Sequence, residues 1–131
     1  MTSDYDRPSA LLVTACLLMG GGVALGAFGA HGLRSRLTPE LLAVYETGVQ
    51  YHLVHGLAAA IAALAVRAGF HQRAATAGWL FVFGIVVFSG SLYLLAVTGT
   101  RWLGAVTPIG GLAWLVGWAL LAMAAMARRN A

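Results

Sequence analysis

The chain has 131 residues, 60% of them hydrophobic, with a mean hydropathy of +0.84 and only 9% charged residues. Soluble domains carry about 25% charged residues, so too little charge is present to cover a water-exposed surface, and the hydrophobicity is too high for a disordered chain. The charges are 8 Arg and 4 acids, a net of +4; they are scattered and form no basic patch of the kind nucleic acid requires.

The fold class that remains is all-α: an integral membrane four-helix bundle with short loops, a single transmembrane domain over residues 1–131. Four apolar stretches, 10–30, 48–66, 75–97 and 103–126, each come near the roughly 20 residues that cross a bilayer as a helix. No charged residue falls inside them, as expected when a charge at mid-bilayer costs at least about 2.5–3.5 kcal/mol. The runs lack the period-two alternation of a membrane β-barrel.

The first stretch carries Gly22, Gly26 and Ala30 at four-residue spacing. Such a stripe lets a second helix approach closely, within the bundle or between copies of the chain. Val13-Thr14-Ala15-Cys16 has the form of a lipoprotein cleavage box. The apolar run continues well past Cys16, however, and the lone cysteine reads as a small buried hydrophobe.

Residues 31–47 form the longest connection, and within it Thr38-Pro39-Glu40 is a helix start: an N-cap hydroxyl, proline at the first position and an acid in the first turn. A helix from Pro39 continued to residue 66 would be about 42 Å long at about 1.5 Å per residue. Either its first turns lie in the interface as a segment before the second span, or the helix is long and tilted, with Thr47-Gly48 as the place for a bend. In the second span Tyr45, Gly48, His52, His55, Gly56 and Ala59 fall on one face, and Glu46, Gln50, Leu53 and Leu57 on another. His52 and His55, three residues apart, are able to aim at one partner.

The third span contributes Ser89, Ser91 and Tyr93. In the fourth, Thr107-Pro108 repeats the Thr-Pro start, so a helix is expected from Pro108, preceded by an interfacial segment anchored by Trp102. The repeat hints at an internal duplication. Trp79, Phe81, Phe88, Trp102, Trp114 and Trp118 are read as packing or interface-anchoring aromatics.

Arginines set the orientation. Arg7, Arg67, Arg73, Arg128 and Arg129 lie on the side of the termini and the second loop; Arg34, Arg36 and Arg101 lie on the other. Asp4 and Asp6 count little in this rule. Both termini are therefore expected in the cytoplasm. Depth then follows: His31, Glu46, Gln50, Tyr51, His52, His55, Ser89, Ser91, Tyr93 and Thr107 are placed in the outer half of the membrane, where polar groups must pair with one another.

These residues are the candidate ligand-binding or polar-network site. A metal needs three or four ligands, and one histidine pair falls short. Haem held by two histidines needs them at matched depth, which His31 and His55 do not offer. No metal and no cofactor is therefore expected. Ser89-Gly90-Ser91 lacks the context of a catalytic nucleophile, and no enzymatic activity is expected. No carboxylate apart from boundary Glu46 lies in the spans to drive ion coupling, which weighs against a transporter formed by a single chain.

Several of these residues recur in a known pattern. Gly26-Ala27-Phe28-Gly29-Ala30-His31, Glu46-Thr47-Gly48, Tyr51-His52 with His55 and Leu57-Ala58, Phe88-Ser89-Gly90-Ser91-Leu92-Tyr93, Thr107-Pro108-Ile109-Gly110-Gly111 and Gly117-Trp118 occur in this order. The set resembles the YgdD/YwdK family of small bacterial inner-membrane proteins. The resemblance implies four membrane spans in a bacterial inner (plasma) membrane and no established activity. One departure is His52, where the family commonly has Gln. The expected function is that of a non-enzymatic structural, accessory or lipid-interacting protein. Its expected partners are membrane lipid and either a second copy or another membrane protein. The alternative is a small-molecule binding or transport protein with an outward-facing pocket around His31, His55 and Tyr93.

Overall fold

The computed structural model describes residues 9–128. Asp4, Asp6, Arg7 and Arg129, which contribute to the charge pattern, lie outside them, as do the side chains of His71 and Arg128. Four helices are long and apolar enough to cross a membrane: α1 (Ala10–Leu33), α2 (Pro39–Arg67), α3 (Gln72–Thr98) and α4 (Arg101–Ala127).

Each begins or ends where local chemistry dictates. The Ser9 hydroxyl caps α1, accepting from the Leu12 N–H at 3.2 Å. Thr38 caps α2 in the same way through Leu41 at 3.3 Å, with Pro39 in the first turn. These hydroxyls satisfy donors that a helix start otherwise leaves free. α3 stops at Gly99, whose φ of 71° is the left-handed conformation glycine adopts without strain. α4 opens with a 3-10 turn over Arg101–Ala105 and becomes α-helical from Thr107. Trp102 on that turn is 67% exposed, as an interface anchor would be.

Of the two readings of α2, the long helix is the one found. It is continuous from Pro39 to Arg67, with no separate segment before it and no break at Thr47-Gly48. The Thr47 hydroxyl bonds back to the Ala43 carbonyl at 2.9 Å within the helix, and Gly48 is held against Tyr93, 2.9 Å from where a Cβ would sit. The two Thr-Pro starts also differ: Thr107 spends its hydroxyl on Ser91 rather than on capping its own helix.

Two turns are wound as π-helix, Gly29–Leu33 at the end of α1 and Ile85–Ser89 inside α3. Each inserts one residue into the hydrogen-bond ladder and so rotates the next turns about the helix axis. The bundle has α2 and α3 at its centre, α1 resting on α2 and α4 on α3. Lipid tails are as apolar as leucine, so close van der Waals fit must hold the helices. Small residues supply it. Gly22 lies under Leu53, Gly26 under Val49 and Gly29 under the Tyr45 ring, while Ala30 is exposed. The stripe thus packs inside the chain, and Gly29 rather than Ala30 ends it. Ala58, Ala59, Ala62, Ala77, Phe81, Ile85 and Trp114 form the main core.

Candidate functional site

The buried face of α2 is the one the spacing indicates: Tyr45, Gly48, His52, His55, Gly56 and Ala59 are all buried, whereas Glu46, Gln50 and Leu57 are exposed. His52 and His55 do not share a partner. His52 turns toward α1 and α3. Its Nε2–H donates to the Leu18 carbonyl at 2.8 Å, and its Nδ1 accepts from the Tyr93 hydroxyl at 2.9 Å. His55 turns toward α4. Its Nδ1–H donates to the Tyr51 carbonyl at 2.9 Å, and its Nε2 accepts from the Trp118 indole N–H at 3.2 Å. A carbonyl can only accept, so the two neutral rings carry their protons on opposite nitrogens.

Around them, the buried polar groups also find partners. The Tyr45 hydroxyl donates to the Leu25 carbonyl at 2.7 Å, and Ser89 donates to the Gly48 carbonyl at 2.7 Å. Ser91 donates to the Phe88 carbonyl at 2.8 Å and meets the Thr107 hydroxyl at 2.7 Å. The Trp114 indole donates to the Phe81 carbonyl at 3.1 Å. Among the described residues no buried side-chain nitrogen or oxygen lacks a partner, as burial in an apolar medium demands.

Within the bundle the two histidines lie near the middle of α2. His52 and His55 are the fourteenth and seventeenth of the 29 residues of α2, counted from Pro39. Their partners Leu18 and Trp118 are likewise interior to α1 and α4. Tyr45, Ser91, Tyr93 and Thr107 lie nearer the end of the bundle where α2 and α4 start and α3 finishes.

Nor are His31, His55 and Tyr93 brought into one pocket. His31 sits in the exposed π turn that ends α1, Tyr93 belongs to the His52 cluster beside Tyr45, and His55 is directed to α4. Glu46 and Gln50 flank a cleft of about 180 Å³ between α1 and α2, together with Gly26, Gly29, Ala30 and Tyr45.

Trp114 and Trp118, packing or anchoring groups by sequence, are hydrogen-bonded members of the polar layer. Their spacing of one turn in an apolar helix was the available signal, because each indole N–H must find an acceptor when buried. The His55 ring stacks on Trp114 at 3.7 Å between centroids and 4° between planes. Tyr51 lies nearly parallel to Trp114, at 9°. Beside this stack a groove of about 800 Å³ runs between α2 and α4. Tyr51, Val54 and His55 line one side, Phe88 of α3 the floor, and Gly111, Leu112, Trp114, Leu115 and Trp118 the other. No charged side chain is among its lining residues. Among the described residues no three of His, Cys, Asp and Glu gather closely enough to hold one metal ion.

The sequence model of a family described as "Protein of unknown function (DUF423)" matches residues 25–111. The match covers His31 through Thr107 and ends before Trp114 and Trp118. The membrane protein YwdK of Bacillus subtilis is 49% identical over 105 residues, 79% of this chain and 85% of that protein. The membrane protein SH2409 of Staphylococcus haemolyticus is 46% identical over 112 residues, covering 85% and 88%. A membrane protein of Haemophilus influenzae is 44% identical over 101 residues, covering 76% and 80%. No solved structure matches the chain.

Proposed function

The chain belongs to the DUF423 family of membrane proteins, and we propose that it is a non-enzymatic protein of the bacterial inner membrane that holds the apolar tail of a membrane amphiphile between α2 and α4. The groove carries this proposal. Its volume of about 800 Å³ falls within the roughly 300–1,000 Å³ of small-molecule sites. Its walls are apolar and aromatic, it lies beside the His55–Trp114 stack that joins α2 to α4, and the exposed Val54, Leu112 and Leu115 along it face lipid. No carboxylate, serine, cysteine or lysine lines it, which supports binding rather than catalysis.

Gly111 provides the test. A Cβ at this position meets only Phe88 ring atoms, at 3.7 and 3.8 Å, ordinary contact distances. Gly111→Met therefore preserves the backbone and projects its side chain into the groove. Native mass spectrometry of the full chain from gentle detergent is expected to show a retained amphiphile on the wild type and its loss in Gly111→Met. Equal retention by both would overturn the proposal. Subunit number is read from the same spectrum.

A further inference from the structure

We propose that the head seated in this groove is a neutral, flat ring bearing a hydroxyl, the class of the membrane-soluble hydroquinones; the inference rests on the groove being a tail-binding site. Charge and depth come first. No lining residue is charged, and His55 lies at mid-height of α2. A phosphate or carboxylate there would be an unpaired charge in an apolar medium, which is prohibitive. Phospholipid headgroups also stay at the membrane surface. A head that reaches His55 must be uncharged and soluble in hydrocarbon.

Shape is set by the rings. His55 and Trp114 are 4° from parallel with centroids 3.7 Å apart, and Tyr51 is 9° from parallel to Trp114, so the three rings form one parallel stack joining α2 to α4. Tyr51, its exposed member at 42%, offers a ring face that favours an offset-stacked ring over a saturated chain.

Hydrogen-bond sense supplies the hydroxyl. The Nδ1–H of His55 is committed to the Tyr51 carbonyl, which leaves Nε2 an acceptor. Its donor in this structure is the indole of Trp118, at 3.2 Å, on a side chain that is 41% exposed. A hydroxyl inserted between the two donates to Nε2 and accepts from the indole. An ether oxygen cannot donate and would face the ring nitrogen's lone pair. The Tyr51 hydroxyl, in the same wall, makes no hydrogen bond to the described residues and is free to meet a second ring oxygen. The hydroquinone is bound and released unchanged; no covalent bond is made or broken.

The test uses the full chain in phosphatidylcholine nanodiscs with Trp79→Phe and Trp102→Phe. These positions are exposed, and their replacement leaves the two groove tryptophans as reporters. Three probes of equal tail length are compared by fluorescence quenching and by competition for it: a decyl hydroquinone, its dimethyl ether and a decyl-chain alkanol. The hydroquinone is expected to bind saturably, and the ether about tenfold more weakly because one hydrogen bond is lost. The alkanol is expected to compete weakly. In His55→Phe, which keeps a stacking ring, the hydroquinone and ether are expected to bind alike. Equal binding of hydroquinone and ether to the wild type overturns the hydroxyl, and an alkanol that competes equally overturns the flat ring; in both cases tail binding survives. Binding unaffected by Gly111→Met, or none by any probe, overturns the tail site and the head together.

Discussion

His52 and Tyr93 have their value as a pair. The imidazole bridges the Leu18 carbonyl of α1 and the Tyr93 hydroxyl of α3, so one side chain ties three helices. His52→Leu removes both bonds and leaves a carbonyl and a hydroxyl to find other partners, at a cost of about 1–3 kcal/mol. Tyr93→Phe removes one bond, near the roughly 0.6 kcal/mol average for hydrogen bonds between membrane helices. The double variant is expected to cost less than the sum, since residues in one network couple. Unfolding of the four proteins in detergent measures this; strict additivity would mean that the two side chains act independently. His52→Gln is expected to be the mildest change at this site, because one amide can both donate and accept. At this scale the sequence was informative where a residue type was out of place. Two histidines in an apolar run announced a polar layer. Tyr45, Trp114 and Trp118 did not, because aromatic residues are ordinary in a membrane span and their single polar atoms leave no trace in a pattern.

Among the elements, the charges marked out four helices, and Thr38-Pro39-Glu40 marked the start of α2. The two π turns had no such mark. A π turn is a slip of the backbone hydrogen bonds by one residue, and no side chain is required to cause it. Its effect is seen in the helix packed against it. At the turn in α3, Gly110 of α4 comes so close that a Cβ would sit 2.5 Å from the Phe88 backbone nitrogen. Backbone cannot give way as a flexible side chain can. Gly110→Ala is therefore expected to destabilise the bundle by about 1–3 kcal/mol, as overpacking does, whereas Gly111→Ala, one residue along, should stay within about 0.5 kcal/mol. Thermal unfolding of the two variants in one detergent makes the comparison, and equal melting temperatures would contradict the close approach.

For the molecule as a whole, helix number was legible from where charge is absent, but helix neighbourhood was not. Hydrophobic pattern does not say that α2 and α3 form the centre, or that a groove lies between α2 and α4. Orientation is a separate quantity, set by the arginines near the ends of the spans. The arginine bias predicts both termini in the cytoplasm, so a reporter fused after Ala131 is expected to show cytoplasmic activity and a reporter in residues 34–38 to be exported. The opposite pattern would invert the protein in its membrane without altering a single internal contact.

Four of the inter-helix hydrogen bonds share one habit. Tyr45, His52, Ser89 and Trp114 each give a hydrogen to a main-chain carbonyl, at Leu25, Leu18, Gly48 and Phe81. A carbonyl is present whatever side chain stands above it. The donors are thus bound to their identities, while Leu18 and Leu25 can exchange with other apolar residues and still accept. Over evolutionary time such a bond would leave a fixed letter at one end and a drifting one at the other. Paired substitutions, the usual footprint of contact, would be faint at these four contacts.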